Sequence, residues 1–222
     1  MRRTVVVTGT DTGVGKTVVT CALARSLRAR GHDVVAIKPI ETGCDAAASA
    51  GEDGALLAAA AGQASPRVAL HRFREPVAPV VAAGGEAETP GLASVVNAIR
   101  SRAAPNGITL VEGAGGLLSP LAWDWGLADL ASALDASVLL VAADRLGSLN
   151  HTLLTVACLD QRGLELLGVV LSAPPEPDAS TGGNAAVLAR LLPGRRLAAL
   201  PRLIPAERDG CGLDEVAGWL ES

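Results

Sequence analysis

The sequence predicts an α/β fold: a doubly wound, mainly parallel sheet in a single domain spanning residues 1–222. Three observations predict it. Short aliphatic or β-branched runs alternate with helix-patterned stretches along the whole chain. The first run, residues 4–8, opens onto Gly9-Thr-Asp-Thr-Gly-Val-Gly-Lys-Thr17 and then a helical pattern. Polar residues gather where the apolar runs end, and in a parallel sheet those ends share one edge.

Taken in order, 4–8 reads as a strand, and 17–30 as a helix stopped by Gly31. The return run 34–37 completes a β-α-β unit. Residues 41–51 read as loop, 53–61 as a helix with an acidic start, and 64–90 as mostly loop or short extended pieces, broken by prolines. A helix at 92–103 leads to a strand at 108–111, ending in the glycine turn Glu112-Gly-Ala-Gly-Gly116. The remaining pattern is helix 127–134, strand 137–142, helix 150–162, strand 166–171, helix 185–192, a short strand 197–200 and helix 213–220.

Composition narrows the function. A net charge of −4, scattered basic residues and 2% aromatics leave no stacking platform or phosphate-tracking groove, so nucleic acid is excluded as a partner. The chain is apolar, with a mean hydropathy of +0.35, but its apolar runs are too short to span a bilayer. Two early arginines precede only three valines, so no signal peptide is indicated and a cytoplasmic protein is expected. Cys21, Cys44, Cys158 and Cys211 are far apart, which suggests neither a disulfide frame nor a zinc site.

The glycine-rich stretch carries the first chemistry. Its glycines let backbone N–H groups converge on an oxyanion, and the helix that follows adds a partial positive charge. Counting back from Gly15-Lys16 puts Thr10 at the first position of G-x-x-x-x-G-K-[ST], so this is a variant P-loop. Lys16 would meet the outer phosphates of a nucleoside triphosphate, and Thr17 would hold Mg²⁺. Lys38, Glu112 and Asp144 follow other strand ends and fall in the same predicted cleft. Lys38 and Lys16 are expected at a solvent-accessible edge. Asp53 reads as an N-terminal helix charge or a functional carboxylate, with Glu52 an equal competitor, Asn150 reads as a helix N-cap, and His151 as structural.

Together, the loop 9–17, Lys38-Pro-Ile-Glu-Thr-Gly43, Val111-Glu-Gly-Ala-Gly-Gly116 and Leu146-Gly-Ser-Leu-Asn-His151 resemble the dethiobiotin synthetase family. The resemblance covers residues 1–172 well. It implies a P-loop NTPase-type fold and a homodimer with shared active sites. The implied reaction uses Mg²⁺, ATP and CO₂ (or bicarbonate) to close a cyclic urea on 7,8-diaminononanoate.

Carried over, the nucleotide would lie on Gly13, Val14, Gly15, Lys16, Thr17 and Val18, beside Glu112, Gly113, Ala114 and Gly115. Thr17, Asp53 and Glu112 would bind the metal. Thr12, Lys38 and Thr42 would meet the carbamate end of the substrate, with Thr12, Lys16 and Lys38 serving catalysis. Leu146, Gly147, Ser148, Leu149 and Asn150 of the other subunit would receive its carboxylate. Where familiar members of the family place an adenine-reading asparagine, this chain has Ser172, which leaves base selectivity to groups around Pro201, Arg202 and Leu203. A second reading is the partition-type ATPase switch, but the position of that family's signature lysine holds Asp11 here.

Overall fold

The computed structural model describes residues 3–45, 47, 50–84, 89–202 and 213–221. Leu203 and Cys211 therefore lie outside the described residues. The chain alternates strand and helix in the order β1 (Arg3–Gly9), α1 (Lys16–Ala29), β2 (Val34–Ile37), β3 (Ile40–Thr42), α2 (Asp53–Ala61), β4 (His71–Phe73), α3 (Pro79–Ala82) and α4 (Leu92–Arg100). There follow β5 (Ile108–Gly116), α5 (Leu127–Ala133), β6 (Ser137–Ala143), α6 (Ser148–Gln161), β7 (Leu166–Ser172), α7 (Asn184–Leu191), β8 (Leu197–Leu200) and α8 (Asp214–Trp219).

Six strands form one parallel sheet in the order β2-β5-β1-β6-β7-β8. Its strands are apolar along nearly their whole length because both faces are covered. Val5 and Val7 face a layer containing Leu23 and Leu27 of α1, Leu57 of α2 and Trp219 of α8. Val6 between them faces Val95 and Ile99 of α4 and Leu127 and Leu130 of α5. This alternation, with a period of two, anchors the sheet between two helical layers. No helix among the described residues is long and apolar enough to cross a membrane.

The strand order sets the site. β1 lies between β5 and β6, and β2 lies beyond β5. The carboxyl ends of β1, β5 and β2 are therefore neighbours, and the loop after β1, Glu112 of β5 and Lys38 after β2 share one stretch of edge.

Several expectations need correction. The 41–51 stretch was expected to be loop, yet β3 reaches Thr42 and pairs in parallel with β4, a short extended piece of the kind expected in 64–90, as a separate ribbon; the short α3 in 64–90 was not expected. β5 runs through Gly116, so the expected turn at 112–116 is still strand, with Gly9 in register with Gly116. α6 begins two residues early: its N-cap is Gly147 at φ 89°, not Asn150. A left-handed glycine starts this helix without a capping side chain.

Candidate active site

The loop between β1 and α1 is built on backbone that only glycine adopts readily. Gly13 and Gly15 have φ 74° and 96°, and Gly15 is the N-cap of α1. A Cβ on Gly15 would lie 2.4 Å from Ser172 Oγ, so the loop rests directly on the end of β7. The first turn of α1 has no acidic residue, which leaves its partial positive charge to an incoming anion. Lys16 arches over the loop and donates to the Asp11 carbonyl at 2.9 Å.

Lys38 connects the remaining polar groups. Its Nζ lies 2.7 Å from Asp53 Oδ2 and 2.7 Å from Glu112 Oε1. The Thr17 hydroxyl is 3.0 Å from Asp53 Oδ1 and 2.9 Å from Glu112 Oε1. Thr17 in the first turn of α1, Lys38 between β2 and β3, Asp53 at the start of α2 and Glu112 in β5 thus meet at one point. Glu52 turns away and forms an ion pair with Arg72 at 2.5 Å, so Asp53 is the acidic residue of this helix start that faces the loop.

The two lysines are not at an accessible edge, as the sequence suggested. Lys38 is 4% exposed and Lys16 is 7% exposed. Burial lowers the Lys16 pKa to about 8, with Lys38 nearby acting in the same direction. Burial acts the same way on Lys38, but the charges of Glu112 and Asp53 outweigh it and hold its ammonium above the ordinary lysine range. Asp53 is held low: burial opposes its charge, and Lys38 more than compensates.

Two hollows flank the loop. The first, about 570 Å³, reaches Lys16, Thr17, Lys38, Thr42 and Asp53 and runs out past Pro76 and Pro120. The second, about 500 Å³, ends at Ser172, Pro174, Pro201 and Arg202. Both are lined by Thr12, Gly13, Gly15 and Val18, so the loop is the shared wall between them. Ala114 and Gly115 line the first hollow and Val14 the second.

Other expected residues lie elsewhere. Gly113 has its carbonyl 3.4 Å from Lys38 Nζ and packs so closely on Leu127 that a Cβ would lie 2.1 Å from that side chain. Leu146, Gly147, Ser148, Leu149 and Asn150 line neither hollow of their own chain. Leu146 is 79% exposed, and Ser148 turns inward to the Ala143 carbonyl. Asp144 is not part of the cleft: its carboxylate accepts from Gly182 N and Asn184 Nδ2, both at 2.7 Å, and fixes the approach to α7. The sequence reading missed Glu41, whose carboxylate lines the first hollow. It accepts from the Asp53 and Gly54 N–H groups at 2.6 and 2.9 Å.

A family model described as an AAA domain matches residues 3–209. The ATP-dependent dethiobiotin synthetase BioD of Anaeromyxobacter dehalogenans (strain 2CP-C) is 48% identical over 198 residues, covering 88% of this chain and 88% of that one. The chain belongs to the dethiobiotin synthetase family. A second relative with that name, from Anaeromyxobacter sp. (strain Fw109-5), is 45% identical over 219 residues and 97% of each chain. Among solved structures, the septum site-determining protein MinD complexed with Mg-ADP from Pyrococcus horikoshii OT3 matches with a TM-score of 0.56 and 18% identity. That match covers 100% of this chain and 88% of MinD. A ParA family ATPase from Chlorobium tepidum TLS matches at 0.59 and 13%, covering 100% of this chain and 93% of that one. At these identities the likeness is one of fold.

For a dethiobiotin synthetase family member, the donor set suits a hard divalent cation. Thr17, Asp53 and Glu112 offer one hydroxyl and two carboxylates, the oxygen ligands that Mg²⁺ prefers. Glu112 is fully buried, and its Oε2 has no hydrogen-bond partner among the described residues. A buried carboxylate oxygen without a donor is costly, and a cation would satisfy it. Glu41, Cys44 and Glu52 also converge within 4.8 Å, but the carboxylates there are taken up by backbone N–H groups and by Arg72.

Proposed function

We propose that the protein carboxylates 7,8-diaminononanoate with CO₂ and closes the cyclic urea of dethiobiotin, converting ATP to ADP and phosphate. The observation that carries this reading is the pair of hollows meeting at the loop. A nucleotide base and ribose in the second would send its phosphates across Gly13–Lys16 into the first, where an amine substrate has room beside Lys38 and Thr42. Thr17, Asp53 and Glu112 would hold Mg²⁺, which supplies charge neutralisation at the phosphates.

The chemistry needs what the cleft offers. An amine adds to CO₂ and loses a proton to give a carbamate, whose oxygen attacks the γ-phosphorus and displaces ADP. Two anions must therefore approach each other, and the Lys16 and Lys38 ammonium groups offset the repulsion. The second amine then attacks the carbonyl of the carbamic-phosphoric anhydride and expels phosphate. With both amines on one substrate, ring closure is effectively unimolecular. Thr12, which lines both hollows, would orient the carbamate by hydrogen bonding.

The reading extends to a homodimer in which the partner's 146–150 stretch binds the substrate carboxylate, in keeping with the exposure of Leu146. The test is ADP release, expected only when diamine, bicarbonate and Mg²⁺ are all present. Mixing Lys16→Met chains with chains altered at Leu149 and Asn150 should regenerate activity in mixed dimers. Release of ADP that ignores the diamine would overturn the reaction, and mixed dimers no better than their parents would overturn the shared site. The partition-type switch would instead hydrolyse ATP without diamine, and Asp11 stands where its lysine would be.

Base selectivity should be weak. Ser172 cannot present the paired donor and acceptor of an asparagine amide, and such a pair discriminates by about 1–3 kcal/mol in DNA readout. Replacing Ser172 by Asn is expected to raise the preference for ATP over CTP or GTP by roughly five- to 150-fold. A strong native preference for ATP that Ser172→Asn leaves unchanged would remove Ser172 from this role.

A further inference from the structure

Glu41 is buried and lines the first hollow, next to Thr42 on β3 but with no part of its own in the proposed reaction. It is the register partner of Arg72 across the β3–β4 pair. The two side chains grip the same helix start. Arg72 holds the Glu52 carboxylate at 2.5 and 2.9 Å, while Glu41 takes the Asp53 N–H on Oε1 and the Gly54 N–H on Oε2. The ribbon is also fastened to Lys38, whose carbonyl accepts from Leu70 N at 3.0 Å.

The helix start has no comparable support of its own. Its N-cap residue, Glu52, makes no side-chain cap hydrogen bond, so Glu41 satisfies two of the backbone donors that every helix leaves open. Gly54 lets the chain just before β4 lie against this helix start, since a Cβ there would lie 2.3 Å from Ala69 N. With Asp53 fixed through its own N–H, its side chain is directed at Thr17 and Lys38.

We propose that Glu41 is a positioning residue that sets the Asp53 carboxylate for the divalent cation, so that metal affinity depends on a side chain that does not touch the metal. The inference rests on the reading of Thr17, Asp53 and Glu112 as the Mg²⁺ ligands. Partners that orient a metal ligand typically contribute about 10–100-fold in affinity. Glu41→Ala should lose that much.

The test uses Mn²⁺ as probe, titrated by electron paramagnetic resonance into the full chain with saturating ADP. The affinity for a fluorescent ADP analogue in EDTA is measured alongside. Asp53→Asn serves as the benchmark. Glu41→Ala is expected to weaken Mn²⁺ binding by about 10–100-fold while metal-free nucleotide affinity stays within about twofold, because the loop and α1 do not depend on the ribbon. Glu41→Gln keeps one acceptor and should lose about three- to tenfold, the equivalent of one hydrogen bond. It decides the matter alone if Glu41→Ala does not fold.

If Asp53→Asn weakens Mn²⁺ binding but the Glu41 variants stay within about twofold of native, the positioning role fails and the metal reading stands. If Asp53→Asn itself binds Mn²⁺ normally, the metal reading fails. A parallel loss of metal-free nucleotide binding in Glu41→Gln would make Glu41 a general structural residue and overturn the proposal.

Discussion

Lys38→Met is expected to abolish most turnover and to lower stability by about 3–5 kcal/mol, the usual result of removing one partner from a buried ion pair. The cost arises at Glu112. That carboxylate is fully buried, and Lys38 Nζ at 2.7 Å is its charged partner. Asp53, with its side chain 37% exposed, keeps access to solvent and contributes less. The double variant Lys38→Met with Glu112→Gln should recover much of the stability, because no uncompensated charge remains, but none of the activity. Urea unfolding and ADP release check the two parts separately. A single variant with a native unfolding midpoint would show that the pair is not buried in solution, and native turnover would remove Lys38 from the reaction.

That prediction also marks a limit of the sequence. A lysine after a short apolar run reads as a residue at a solvent-accessible edge. Its burial comes from Asp53 and Glu112, 15 and 74 residues away, closing over it. Such pairing has no local signature. The four long sheet strands, β1, β5, β6 and β7, are different: a strand covered on both faces must be a continuous apolar run, and those runs are visible without context. The phosphate loop was legible for the same reason, since its glycines and Lys16-Thr17 are adjacent in the chain.

The pairing of β3 with β4 was not legible. Each strand has three residues of mixed polarity, and its parallel partner lies about 30 positions away, with Ile40 opposite His71. Periodicity needs more residues than that. The choice between Glu52 and Asp53 was beyond sequence for a related reason. Neighbours at a helix start point in different directions, and Arg72 in β4 shows which one is taken. Glu41 went unnoticed because its function is to bind backbone, which no motif records.

Lys16→Met should behave in the opposite way to Lys38→Met, losing turnover without losing stability. Lys16 Nζ has no carboxylate within hydrogen-bond range among the described residues and bonds instead to the neutral Asp11 carbonyl at 2.9 Å. Burial lowers its pKa to about 8, so the fold works against its positive charge rather than gaining from it. Replacing it with a neutral side chain of similar length removes that strain, and the unfolding midpoint is expected to be unchanged or higher. Turnover is another matter. In the proposed reaction the ammonium would stand where a triphosphate and a carbamate converge, and a charge-assisted hydrogen bond contributes about 1.5–3 kcal/mol. Its loss predicts a fall of roughly ten- to 150-fold, seen in kcat as well as kcat/KM if the contact strengthens in the transition state. The two measurements separate the alternatives: a lower unfolding midpoint with near-native kcat would make Lys16 a structural strut for the loop, and would leave the meeting of the two anions to Lys38 alone.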